Sequence, residues 1–320
     1  MSSVEIRSAA VIGTGMMGPG IGLVLAMGGL RTTIISRSSE TAERGVVSAR
    51  TAAQTLRQNG LLTDESVSES LSLLSCSDDL DGTAKKVDLV IESAPENLGF
   101  KQELFAHLDG ASKPDAILAS NTSGLSITAI ASKCLRPERV LTTHFWNPPH
   151  LVPLVEIVKG EKTSENAVQL IRDLLARCGK RPVVVQKDRP GQLGNRLQMA
   201  LVREAAYMIA EGIASAEDID IAIRNGLGLR YPAYGLLEHQ DLVGLDMVLS
   251  ICAYVGKDLY QDREAPPLLK NQVDAGNLGA KTGRGFLQWQ AGDAERVRSR
   301  RDRFLMDFLR AEKLTKKTAE

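Results

Sequence analysis

AAVIGTGMMGPGIGLVLAM, Ala9–Met27, is the stretch on which the fold turns. Ala9–Ile12 reads as a short buried strand, and it runs straight into Gly13, Gly15 and Gly18 in G-x-G-x-x-G spacing. Apolar residues then continue to about Met27, as a buried helix would. The three glycines serve different ends. The first permits a tight turn, the second lets a pyrophosphate approach the backbone, and the third lets helix pack on strand. The free amides of the helix start face the phosphates. Strand, glycines and helix in this order predict a dinucleotide-binding loop.

Working outward, RTTIIS supplies the second strand, and its end is where an Asp or Glu normally accepts hydrogen bonds from the ribose 2′-hydroxyl of NAD. Here Ser36 stands there, followed by Arg37 and Ser38. A small hydroxyl beside an arginine accommodates a 2′-phosphate, so NADP(H) is favoured, with NAD(H) as the alternative. Further β-branched runs at Leu89–Glu92, Ala116–Ala119, Val140–Thr143 and Val183–Val185 alternate with helical patterns. That rhythm predicts an α/β, doubly wound Rossmann-type sheet, read as parallel. After Asp188–Asn195 the strand signals stop. LQMALVREAAYMIAEG reads as a helix ending at Gly212, and Ser215 with Asp218 resembles a capping box for the next. The expected division is therefore a dinucleotide-binding domain over 1–189 and an all-α domain for substrate and dimerisation over 190–320. The polar tail KLTKKTAE is expected to fray.

The 39 basic and 39 acidic residues cancel, which removes a whole-protein field for nucleic acid or an anionic membrane. Specificity must therefore be local, for a small-molecule substrate. Cys76, Cys134, Cys178 and Cys252 are far apart, with no C-x-x-C pair and no histidine cluster, so no metal is expected and a reducing cytoplasm is. No run of eighteen apolar residues suggests a membrane span, and the N-terminus has no secretory pattern.

Three further blocks carry chemistry: SNTSGLSITAI (Ser120–Ile130), THFWNPPHLVPLVEIV (Thr143–Val158) and DRPGQLGNRL (Asp188–Leu197). With the glycine loop they resemble the 3-hydroxyacyl-CoA dehydrogenase superfamily, whose helical domain is of the 6-phosphogluconate dehydrogenase C-terminal type, and the similarity runs from about Ala9 to Phe286. The resemblance implies an oxidoreductase moving a hydride between NAD(P)(H) and a secondary alcohol or ketone. It places Ser123, His144, Glu156 and Asn195 in the catalytic set. Imidazole titrates near neutral pH, so His144 suits the general base; Glu156 would orient it, and Ser123 and Asn195 would donate to the reacting oxygen. The cofactor-facing set becomes Gly13, Gly15, Met16, Met17, Gly18, Ser36, Arg37, Ser38, Glu96 and Asn121. His150 is expected beside the cleft.

Two departures bear on the substrate. Family members acting on acyl-CoA commonly carry lysines after the second strand, where this chain has none before Lys85; Arg44, Arg50 and Arg57 remain. In the helical domain RYPAYGLLEHQDLVGLD, Arg230–Asp246, brings Arg230, Tyr231, Tyr234, Glu238 and His239 to a segment the resemblance sets near substrate. WNPPH, Trp146–His150, looks more like the pyridine-carboxylate dehydrogenases, which with the gulonate and carnitine dehydrogenases act without CoA. A small non-CoA hydroxy compound is expected. The alternatives are an NAD-dependent L-3-hydroxyacyl-CoA dehydrogenase and, from another class, a non-catalytic crystallin-like or dinucleotide-sensing protein. The apolar stripes of LQMALVREAAYMIAEG and FLMDFLRAEKL suggest a homodimer.

Overall fold

A computed structural model describes residues 5–319. Its sheet comprises β1 (Ser8–Ile12), β2 (Arg31–Ile35), β3 (Leu74–Ser77), β4 (Leu89–Glu92), β5 (Ile117–Ser120), β6 (Val140–Phe145), β7 (Leu154–Lys159) and β8 (Arg181–Val185). Their spatial order is β3-β2-β1-β4-β5-β6-β7-β8. The chain winds one way from β1 through β3 and the other way from β4, so a crevice opens at the carboxyl ends of β1 and β4, where doubly wound sheets bind ligands. Burial on both faces explains why β4 and β5 open on the unbroken apolar runs LVI and ILA.

The expectation of a parallel sheet needs one correction. β6 and β7 pair antiparallel, and β8 follows β7. Only eight residues, 146–153, separate β6 from β7, too few for a crossover helix, so the chain must fold back. Two strands also escaped the alternating pattern. β3 is a hydroxyl-bearing edge strand, LSCS, whose middle residues are exposed, and β7 lies too close behind β6 to fit a strand–helix–strand rhythm.

The chain forms two compact units: residues up to Asn195 together with those from Arg301 onward, and Arg196–Arg300. The expected split at 189/190 put the C-terminal residues in the second domain. They instead rejoin the first unit, because Met306 is buried in a cluster with Leu23, Ile34, Leu56 and Leu61, and Leu305 and Leu309 pack against it. Arg181 pairs with Glu312 at 2.6 Å. The helix Asp293–Ala319 continues through the tail expected to fray, and Lys313 Nζ donates to the Leu61 carbonyl at 2.5 Å.

In the second unit Ser215 caps the helix Ala216–Ala222 by accepting from Asp218 N. Among the described residues, the pairing there is confined to isolated bridges of Arg284 with Gly279 and Gln288. No helix of the described residues is long and apolar enough to cross a membrane.

Candidate functional site

The glycine loop is shaped by close contact. Gly13 has φ +111°, and a side chain on it would strike the Ser93 carbonyl; one on Gly18 would strike Gly13 itself. A Cβ on Gly15 would meet nothing, so that face is open to an approaching phosphate. The loop borders a cleft of about 920 Å³, whose walls include Thr14, Ser36, Arg37, Asp78, Ala94 and Phe100. An open second glycine beside a cleft of this size fits the adenosine and pyrophosphate of a dinucleotide. Ser36 Oγ accepts from Thr41 Oγ1 at 2.7 Å. Ser38 caps the helix Ser39–Gln58.

A second polar cluster is built around Glu156. Antiparallel register sets His144 on β6 directly opposite Glu156 on β7, and His144 Nδ1 lies 2.6 Å from Glu156 Oε2. The carboxylate is fully buried, yet it accepts three further hydrogen bonds: Trp146 Nε1 at 3.0 Å, and the Leu193 and Gly194 amides at 2.9 Å each. These amides belong to the start of the helix Gly194–Ala210. Burial pushes the Glu156 carboxyl up, but the His144, Gly194, Trp146 and Leu193 donors outweigh it and hold it at about 2. A carboxylate can only accept, so Nδ1 carries the proton of the neutral imidazole and Nε2 keeps its lone pair.

The Ser123 loop rests on an ionic frame whose Glu92 and Lys101 are buried and whose Glu96 is exposed. Lys101, 1% exposed, reaches Glu92 Oε1 at 2.6 Å and Glu96 Oε2 at 3.4 Å. Glu96 Oε1 accepts from Thr122 Oγ1 at 2.6 Å, Ser123 N at 2.9 Å and Ser123 Oγ at 3.2 Å. Burial raises the Glu96 carboxyl, but Thr122, Lys101 and the Ser123 amide together hold it below its ordinary value. Asn195 Nδ2 donates to the Ser123 carbonyl at 2.9 Å, and Gln192 Nε2 to the Thr122 carbonyl at 2.9 Å. Gln192 reaches it from a left-handed backbone, φ 54°, a conformation that a non-glycine residue keeps only where its surroundings hold it.

Of the expected residues, Glu156 and His144 touch one another, and Ser123, Asn195 and Glu96 form one connected group. Asn121 bridges, accepting from Phe145 N at 2.8 Å and donating to Ser93 Oγ at 3.3 Å. Met16 is exposed with its sulfur 3.2 Å from Asn147 Nδ2, and Met17 lies at the start of the helix Gly18–Met27, partly packed on the core. His150 needs correcting. It packs against Gly20 and lines a cavity with Val24, Met27 and Leu309, whose walls do not include His144 or Glu156. Burial and then the Lys180 charge lower it to about 4, so it is neutral. Gln192, Glu92, Lys101 and Asp78 were not singled out from sequence, and Trp146 was named only within the WNPPH motif, without a role in the site. Lys101 sits in a helical stretch, where a lysine normally faces water. Among the described residues no group of three His, Cys, Asp or Glu could hold a metal.

A doubly wound sheet, a glycine loop opening a helix and an imidazole–carboxylate pair define a nicotinamide-dependent dehydrogenase. The model of the 3-hydroxyacyl-CoA dehydrogenase NAD-binding domain matches residues 8–189, and that of the C-terminal domain matches 191–289. The chain belongs to the 3-hydroxyacyl-CoA dehydrogenase family. It is 35% identical over 298 residues to the 5-formyl-3-hydroxy-2-methylpyridine 4-carboxylate 5-dehydrogenase of Mesorhizobium japonicum, covering 92% of this chain and 96% of the relative. To a probable 3-hydroxybutyryl-CoA dehydrogenase of Bacillus subtilis it is 37% identical over 288 residues, covering 90% and 99%. Among solved structures, a 5-formyl-3-hydroxy-2-methylpyridine 4-carboxylic acid 5-dehydrogenase, described as an NAD+-dependent dismutase, has TM-score 0.88 at 33% identity, covering 96% of this chain and 98% of that one. The (S)-3-hydroxybutyryl-CoA dehydrogenase of Ralstonia eutropha has TM-score 0.75 at 33% identity, covering 89% and 100%.

Because Glu156 is held below its ordinary 4.5, its contribution to stability is complete above that value and is lost as pH falls towards about 2. Urea unfolding followed from about pH 6 down to about pH 3 should therefore show the wild type losing more stability than Glu156→Gln, by about 1–3 kcal/mol. Parallel pH profiles would contradict this.

Proposed function

We propose that the chain interconverts a secondary alcohol and its ketone with His144 as general acid–base, on a compact hydroxy or keto compound rather than a CoA thioester, using NADP(H). The observation that carries this reading is the buried His144–Glu156 pair at 2.6 Å, which leaves Nε2 as the imidazole's proton acceptor. In the oxidative direction the substrate hydroxyl proton passes to Nε2 as the C–H bond gives up its hydride and the C=O bond forms. The nicotinamide, when bound, supplies the hydride acceptor. Glu156 holds the ring in the tautomer that can accept, and stabilises the imidazolium that results. Ser123 and Asn195 stand as the polar partners of the reacting oxygen; an Asn amide has two N–H groups, and the Ser123 carbonyl takes one.

For the cofactor, Ser36 and Arg37 line the cleft, and Arg37 is exposed. A 2′-phosphate would find a guanidinium there. One observation favours the second reading, NAD(H): Asp78 lines the same cleft, and its carboxylate, lowered by the Ser39 hydrogen bond, would oppose a phosphate.

Three observations favour a substrate without CoA. Of Arg44, Arg50 and Arg57 in the lysine-free stretch, Arg57 is paired with Asp64 at 2.9 Å, which reduces the charge free for CoA phosphates. The likeness in structure is greater to the pyridine-carboxylate enzyme than to the 3-hydroxybutyryl-CoA enzyme. In the second unit Tyr234 and His239 stack with centroids 4.7 Å apart, near in sequence to Arg230, a set suited to a carboxylated ring. This second unit is also read as the substrate and dimerisation domain. The helices Leu236–Val243 and Leu245–Val255 bury no residue, while Leu237, Leu242, Leu245 and Leu249 are exposed, so a homodimer would cover them. Four free cysteines suit the reducing cytoplasm.

His144→Ala should lower turnover by about 10²–10⁴-fold while leaving cofactor affinity nearly unchanged; an unaltered turnover would remove the imidazole from the reaction. Dissociation constants should favour NADPH over NADH, with Ser36→Asp moving the preference towards NADH. A preference of about tenfold or more for NADH in the wild type would select the second cofactor reading. Free keto acids and cyclic ketones should exceed acetoacetyl-CoA in kcat/KM; a thioester better by about tenfold or more, or roughly 1.4 kcal/mol, would make the chain an ordinary acyl-CoA dehydrogenase.

A further inference from the structure

Glu156 Oε2 accepts two hydrogen bonds, one from the His144 imidazole and one from the Trp146 indole. The indole is not loosely placed. Its ring lies against the start of the helix Gly194–Ala210, so closely that a Cβ on Gly194 would strike it, and it stands 5.8 Å from the His144 ring, centroid to centroid. Trp146 therefore meets the carboxylate, the imidazole's neighbourhood and the helix that supplies the carboxylate's other two donors.

We propose that Trp146 is a positioning residue that sets the basicity of His144 by competing with it for Glu156 Oε2. The proposal rests on the reading of His144 as the general base. A carboxylate oxygen shared between two N–H groups carries less negative charge towards either one. The imidazolium is then stabilised less than in an undivided His–Glu pair, and the imidazole stays unprotonated to lower pH. The indole N–H thus keeps the base in its reactive form, while the ring fixes the carboxylate against the helix start.

Among the described residues, the elements packed around the pair bring little charge to it. Beside Glu156, β8 places Val183; β5 and the helices Gly18–Met27 and Ile127–Ile130 carry no titratable side chain. The helix Glu165–Arg177 turns Ala167, Val168, Ile171, Leu174 and Leu175 inward. On the loops, Glu96 is bound to Ser123 and Lys101, and Asp188 to Ser126 and Thr128; Arg196 follows Asn195 as an exposed residue.

The test is Trp146→Phe, which keeps an aromatic ring against Gly194 and removes the N–H. The midpoint of the acid limb of kcat for alcohol oxidation should rise by about half a unit to one unit, with KM for the cofactor within about twofold of wild type. In a Glu156→Gln background the same substitution should leave the midpoint where that background has it, because the shared charge is gone. A midpoint within about 0.2 units of wild type in the single variant, or an equal shift in the Glu156→Gln background, overturns the proposal. Should Phe loosen the helix start, seen as a lowered Tm, the sulfur isostere of tryptophan, 3-benzothienylalanine, preserves the ring's shape without its N–H. The chain has two tryptophans, so the isostere is incorporated into a Trp289→Phe protein and compared with that parent. Failure of the underlying reading shows differently: His144→Ala would then retain turnover, whatever Trp146 does.

Discussion

One buried charge organises the candidate site. An ionised carboxylate taken out of water costs several kcal/mol unless it is fully hydrogen-bonded, and Glu156 meets that demand with donors from β6, from the turn that follows it and from the start of the helix Gly194–Ala210. The requirement acts in both directions. His144 is held because Glu156 needs it, and the helix start is held because its first amides would otherwise lack partners. The antiparallel return of β7 along β6 is what makes the pair possible, since it sets His144 and Glu156 side by side in register. A parallel return would need a crossover and would separate the two residues widely in sequence.

A second ionic frame, Glu92–Lys101–Glu96, supports the neighbouring loop. Glu92 ends β4 and is fully buried; its other oxygen accepts from Ser120 Oγ at 2.6 Å. Lys101 comes from the helix Leu98–Ala111, and Glu96 carries Thr122 and Ser123. Ser93 and Ala94, which line the dinucleotide cleft, lie between the two glutamates in sequence. Cleft and Ser123 loop therefore share one rigid base at the carboxyl end of the sheet. Removing Glu92 or Lys101 would leave a buried charge without its closest partner, so these two hold each other in place.

Cofactor choice is a balance of weaker terms. Ser36 and Arg37 come from the end of β2, and Asp78 from the end of β3. All are near the surface, where charges are screened and each contact is worth little alone. This is why a single missing acid after β2 does not by itself fix the preference.

From the sequence alone, the glycine loop, the Rossmann-type strands, the change to helices after Asn195 and the motif residues His144, Glu156, Ser123 and Asn195 could be read. Those signals are local: turn geometry, apolar periodicity and short spacings determine them, and neighbouring residues suffice to express them. Tertiary structure decided the rest. It reversed β7, joined Met306 to the core of the first unit, set His150 in a cavity that His144 and Glu156 do not line and brought Trp146 and the Leu193 and Gly194 amides onto Glu156. It also buried Lys101, which a helical pattern assigns to solvent. Each of these depends on which distant segments meet, and on the cost of leaving a charge or an apolar side chain without its partner once they do.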